Sequence, residues 1–91
     1  MYAAETIEVT ATGTAKTGNG KLLGGVLTAG IDAATATIYD NTSAAGSKIR
    51  TVKAAAGATV SLGVPQGGIR FGIGLHAVLA GTAPLLYLEF T

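Results

Sequence analysis

Cysteine and tryptophan are absent from this chain, and its 91 residues include one histidine and two prolines. Without cysteine no disulfide framework can hold the fold, and a single histidine beside few carboxylates leaves little with which to bind a metal. Neither absence fixes a redox compartment. Charge is scarce too: Asp, Glu, Lys and Arg make up 12%, where about 25% is usual for soluble domains. A small domain has a high surface-to-volume ratio, so charged side chains normally coat much of it. A chain that omits them either aggregates or has part of its surface covered by other protein. The net charge of +1 provides no field to gather nucleic acid or anionic lipid. The first residues show neither a basic n-region nor an apolar h-region, so no signal peptide is expected.

What fills the gap is glycine, alanine and a modest set of large apolar residues. The length predicts one domain over 1–91, with 1–5 as a flexible or partner-pairing segment. The hydrophobic fraction of 48% overstates the core, because alanine contributes much of it. Scaffolds this small need disulfides, metal or oligomerisation. The first is excluded and the second has few ligands to use, so oligomerisation is the expectation. The uncharged stretch from Phe71 to Leu88 approaches bilayer length, but Gly72, Gly74, His76, Gly81 and Pro84 interrupt it and its apolar residues alternate. A membrane helix is therefore not expected.

Alternation is the dominant pattern along the chain. Ile69, Phe71, Ile73, Leu75, Ala77 and Leu79 recur at every second position, the signature of one strand face. Gly72 and Gly74 fall on the other face and predict a bend, a bulge or a close backbone approach, so the stretch is expected to be two strands or one bent strand. Ile7 and Val9 alternate with Glu8, and Ala34 to Asp40 is a third alternating run. Val60, Leu62 and Val64 form a fourth. Leu85 to Phe90 is apolar on both faces up to Glu89, as in a central or covered strand. Leu22 to Leu27 is also two-sided, with Gly24-Gly25 marking a bulge. Between Lys48 and Lys53, Ile49 and Val52 fall on opposite faces, which predicts a bulge or an edge strand. Turns are expected at Thr17 to Gly20, in the Asp40 to Gly46 hairpin, at Pro65-Gln66-Gly67 with Pro in the second position, and in a final hairpin at Gly81 to Pro84. Seven or eight short antiparallel strands without an amphipathic helix read as an all-β fold, a small β-sandwich or a jelly-roll-like barrel.

No reaction centre can be assembled from these residues. His76 has no second histidine, so it reads as a structural or interface residue. The carboxylates Glu5, Glu8, Asp32, Asp40 and Glu89 are scattered, and Asp40 and Asn41 are explained by side-chain bonding within their loop. Gly13 to Gly18 has the first spacing of a P-loop, but Asn19 stands where lysine is needed and no helix follows. Lys48, Arg50 and Lys53 form the one basic cluster. It serves as edge protection or meets an acidic partner, in a chain without the exposed aromatics of a nucleic-acid surface. No catalytic, cofactor-binding or metal-ligating residue is assigned.

Three segments carry a family likeness. A strand ends in Ile38-Tyr39-Asp40-Asn41, followed by the Thr42 to Gly46 loop and Lys48-Ile49-Arg50. The turn Val64-Pro65-Gln66-Gly67-Gly68-Ile69-Arg70-Phe71 comes next, then Gly74 to Ala83 and the terminal strand Leu85 to Phe90. From about Leu22 onward the chain resembles small virion structural proteins of tailed bacteriophages, of the capsid decoration, or cement, type. It departs from the best-known of these in having no long proline-rich amino-terminal arm. The resemblance implies a non-enzymatic protein of the capsid surface, made in the host cytoplasm. Its expected partners are itself, as a homotrimer, and the phage major capsid protein, which it would clamp; nucleic acid, membrane and small-molecule substrates are not expected. The alternatives are a tail, neck or fibre component, or a small carbohydrate-binding β-sandwich, though no tryptophan platform is present for stacking on sugars. Candidate interface residues are Ile7 and Val9 on a strand (Glu5 to Ala11) that would add to a neighbour's sheet, the basic Lys48, Arg50 and Lys53, and Leu85 and Tyr87 together with the Gly72, Gly74 and His76 face.

Overall fold

Alternating side chains can bury one face only if a second layer covers it, and here two antiparallel sheets cover each other. The computed structural model describes residues 5–91. Its strands are β1 Glu5–Val9, β2 Gly13–Thr17, β3 Gly20–Thr28, β4 Ala34–Asp40, β5 Ser47–Ala54, β6 Thr59–Ser61, β7 Ile69–Phe71, β8 Gly74–Ala80 and β9 Leu85–Phe90. One sheet runs β1-β9-β3, and β6 and β7 share the far side of β3; the other runs β2-β8-β4-β5. The fold is thus all-β and a small sandwich. The described residues form nine strands because β6 and β7, three residues each, occupy one edge in two pieces. The amino-terminal segment assigned to 1–5 lies outside the described residues except for Glu5, which begins β1.

The core explains how so much alanine can pack. Leu22, Leu27, Leu86, Leu88, Phe90 and Phe71 project from the first sheet, all buried. The second sheet answers with Ala34, Ala36 and Ala77 beside Ile38 and Leu75. Large side chains on one layer pack against small ones on the other, which is how two facing layers interdigitate. β9 is the central strand that its two-sided apolar sequence predicts, flanked by β1 and β3.

Local irregularities fall where the sequence marks them. β3 is bulged between Leu22 and Gly24. β5 is both an edge strand and bulged, its register slipping where Ile38 pairs with Arg50 but Tyr39 with Lys48. The extra residue lets Ile49 and Val52 both pack against the core, resolving their apparent opposition.

The run from Ile69 to Leu79, expected as two strands or one bent strand, is two strands, and they lie in different sheets with Ile73 in the crossing between them, 57% exposed. Three expectations are corrected. Gly81 to Pro84 joins β8 of one sheet to β9 of the other, so it is a crossing arch and not a hairpin. Pro65 occupies the first position of its turn: the Gly68 N–H donates to the Pro65 carbonyl at 3.0 Å, and Gly67 takes the positive φ of 91°. Finally, the strand expected from Glu5 to Ala11 ends at Val9, with Thr10 and Ala11 turning toward β2; it pairs with β9 of its own sheet along one edge and leaves its other edge open.

Candidate functional site

The open edges of the sheets are the feature from which a site can be built. An edge strand presents a row of unpaired backbone N–H and C=O groups, ready for another strand. On one flank of the sandwich β1 lies next to β2, and on the other β5 lies next to β6. The two flanks differ in charge. Glu5 and Glu8 stand on β1, exposed, with Glu89 in register beside Thr6. Lys48, Arg50 and Lys53 stand on β5, Lys48 and Lys53 exposed and Arg50 half-buried.

Two carboxylates accept from neutral hydroxyls: Tyr87 Oη donates to Glu8 Oε2 at 2.9 Å and Thr82 Oγ1 donates to Asp32 Oδ2 at 2.6 Å. Lys16 Nζ donates to the main-chain oxygen of Thr91 at 2.6 Å. Arg50 Nη2 donates to the Gly63 carbonyl at 3.3 Å. The hydrogen bond to Glu8, reinforced by its charge, holds the Tyr87 hydroxyl above its usual titration range.

The sequence-derived interface residues do not form one surface. Val9 is buried in the chain's own core and Ile7 is half-buried against it, both on the inner side of β1. Tyr87 lies on the outer face of the first sheet, where alternation also places Leu85. There Leu23, Val26, Ser61, Gly63, Val64 and Tyr87 line an open groove of about 460 Å³. His76 is on the opposite outer face, between Thr14 of β2 and Tyr39 of β4. Gly72 lies in the crossing between β7 and β8, outside either strand. Gly74 is the close approach that its position predicts: a Cβ there would stand 2.8 Å from the Lys16 carbonyl.

His76 and Thr14 resemble a base beside a nucleophile, with His76 Nδ1 and Thr14 Oγ1 2.9 Å apart. The hydroxyl proton, however, goes to the Thr42 carbonyl at 3.0 Å. A hydroxyl has one proton to give, so Thr14 must accept from a protonated Nδ1. His76 therefore acts as a donor in a chain that ties β8 through β2 to the β4–β5 loop, a structural use of both residues.

Asp40 has the most organised environment. Its Oδ1 accepts the backbone N–H of Ile73 at 2.9 Å, Gly72 at 3.1 Å and Gly74 at 3.4 Å, and Oδ2 also accepts from Gly72 at 3.1 Å. The Ile73 and Gly72 bonds, then the Gly74 bond, lower its pKa below the ordinary 3.8, against a smaller opposing effect of burial. The loop bonding expected of Asp40 belongs to Asn41, whose Oδ1 accepts from the Thr42 N–H at 2.7 Å and whose Nδ2 donates to the Ala45 carbonyl at 2.9 Å. Asp40 instead clamps the crossing between β7 and β8, a long-range role that nothing in its local sequence reveals.

The clamp has a pH signature. A carboxylate whose pKa is lowered by folding stabilises the fold above its unfolded-state pKa of about 3.9, and this contribution is lost as pH falls through the folded value. Asp40→Asn, partly exposed and still able to accept through its one remaining oxygen, is expected to cost about 1 kcal/mol at pH 7, a fall of roughly 4–8 °C in Tm. Melting curves from pH 7 to pH 2 should converge for the two proteins at the acid end. Parallel curves at every pH would show that the charge of Asp40 does not contribute.

Among the described residues no cluster of three His, Asp or Glu is placed to hold a metal ion. Compared with protein-family models, with curated proteins and with solved structures, the chain has no significant match.

Proposed function

We propose that this protein is a non-enzymatic structural subunit of a bacteriophage virion, a cement protein that oligomerises on the head and clamps major capsid proteins together. The observation that carries the reading is the sandwich with unlike open flanks in a chain with so little charge. Such a molecule gains by covering its edges with neighbours, and a clamp requires no catalysis. Each contact adds binding free energy, and many copies multiply it; a specific contact of this kind buries on the order of 1,200–2,000 Å². The assignment to a phage head rests on the likeness of the segments at Ile38 to Arg50, Val64 to Phe71 and Gly74 to Phe90.

Deleting the gene from the encoding phage provides the test. Heads from the deletion strain should lack a protein present in many copies, break at lower temperature, and recover when the purified chain is added back. Heads of unchanged composition and heat resistance would overturn the reading. Loss of a few copies located at the tail would move the protein to the tail or neck. The groove beside Tyr87 supports a second reading, a glycan resting on that ring. Binding to a glycan panel, with none to deletion-strain heads, would establish it.

A further inference from the structure

The groove on the outer face of the first sheet is deeper than packing requires. Two adjacent glycines line it, for different reasons. Gly25 is demanded by the sheet, because a Cβ there would lie 2.5 Å from the Tyr87 carbonyl. Gly24 is not: its φ is outside the left-handed region, and a Cβ would meet only the carboxylate end of Glu89, at 3.2 Å. Glycine weakens a strand interior and often marks a place that a ligand or another chain approaches. In the ladder Gly24 stands opposite Glu89 and Val26 opposite Tyr87, so these side chains border the gap that Gly24 leaves. Leu23 and Val26, both exposed, supply apolar walls together with Val64.

The charge of the groove has one sign. Glu89 is exposed and its Oε1 lies over Gly24. Glu8, in register with Tyr87, accepts from the phenol, which fixes the ring and adds a second carboxylate behind it. No lysine or arginine of the chain lines this space. Lys21 and Arg70 oppose each other across β3 and β7 and border a separate cavity with Asn19, and Lys48 and Lys53 stand on the other sheet. We propose that the groove seats a lysine side chain of a neighbouring protein, its aliphatic stem against Leu23, Val26 and Val64 and its ammonium on Glu89 beside the Tyr87 ring. Lysine buries its stem along apolar surface while its charged head stays near water, which is the division this open groove provides. The aromatic ring adds attraction for a cation. A neutral sugar has no charge to offset those of Glu89 and Glu8. The inference deepens the cement reading and rests on it for naming the neighbour as the capsid protein.

The probe is N-acetyl-lysine methylamide, and its control is the norleucine analogue, which keeps the stem and lacks the ammonium. Titrated into the whole chain at low salt, the lysine compound should shift the amide NMR resonances of Gly24, Val26 and Glu89 until they saturate. The norleucine compound should bind about tenfold more weakly, having lost a hydrogen bond to a charged group. Glu89→Gln alters an exposed side chain and keeps the fold; it should weaken lysine binding by about tenfold and leave norleucine binding unchanged. Gly24→Val fills the gap and should abolish both. Added salt should weaken binding of the lysine compound alone. Equal binding of the two compounds, or lysine binding unaffected by Glu89→Gln, overturns the proposal. So does a glycan that shifts these resonances where the lysine compound shifts none. On deletion-strain heads the Glu89→Gln chain should require about tenfold more protein than the original to restore heat resistance. Restoration at the original concentration overturns the proposal and leaves the cement reading standing. Lysine binding by a chain that never adheres to heads keeps the groove and removes the cement role.

Discussion

Phe71→Ala should leave the isolated chain largely unfolded at physiological temperature. The ring is completely buried, and removing a core phenylalanine costs about 3–5 kcal/mol. A domain of this size has only about 5–15 kcal/mol to lose. At about 4–8 °C per kcal/mol, the midpoint should fall by more than about 12 °C. The location aggravates the loss. β7 holds β3 through just Gly20, Lys21 and Leu22, and Phe71 is the anchor that keeps this short strand, and the crossing clamped by Asp40, against the core. Ile73→Ala is the matched control. Strict alternation places Ile73 on the same inner face as Phe71, yet its exposed side chain should change stability by no more than about 0.5 kcal/mol. Thermal melts of the two variants compare the alternation with the observed crossing directly; equal losses would mean that the strand does not break there.

Gly25→Ala is expected to damage the first sheet well out of proportion to the single methyl group it adds. A Cβ at this position would lie 2.5 Å from the Tyr87 carbonyl and 3.3 Å from both methyls of Leu62. The carbonyl is backbone of β9 and cannot rotate aside, so β3 and β9 must separate. Overpacking of this kind costs about 1–3 kcal/mol. It should also disturb the bond from the Leu62 N–H to the Gly25 carbonyl that carries the edge past β6. Gly24→Ala, one residue away, meets just the flexible end of Glu89 at 3.2 Å and should be nearly neutral. Urea titration of both variants, with unchanged slopes, checks the contrast. Equal midpoints would mean that the close approach at Gly25 yields without cost.

Local pattern carried much of the fold and little of the site. Period-two alternation marked the strands around Ile7, Ile38 and Leu75, and the mismatch of Ile49 with Val52 correctly pointed to a bulged edge. Alternation does not register a change of sheet, however. Gly72-Ile73 continues the rhythm of Ile69 to Leu79 while the backbone passes from one layer to the other. Turn chemistry has the same blindness: glycine and proline at Gly81 to Pro84 serve a crossing arch as well as a hairpin. Which residues share a surface depends on pairings between distant strands. His76 and Tyr87 therefore looked like parts of one face and lie on opposite ones, and the three donors to Asp40 were invisible from its own loop. The charge on β1 and β5 was readable, but its division between two flanks required the sheet order.

β9 is the strand between β1 and β3 in the first sheet, and it is the last of the strands to leave the ribosome. Until it emerges, β1 and β3 have no common neighbour, and two apolar segments synthesised early must wait for a keystone made late. Joining strands so far apart in sequence makes loop closure a tax on the rate of folding. The nascent chain consequently spends translation with its stickiest surfaces uncovered, and its sparing use of aromatic and long aliphatic side chains limits what those surfaces can seize before the keystone arrives.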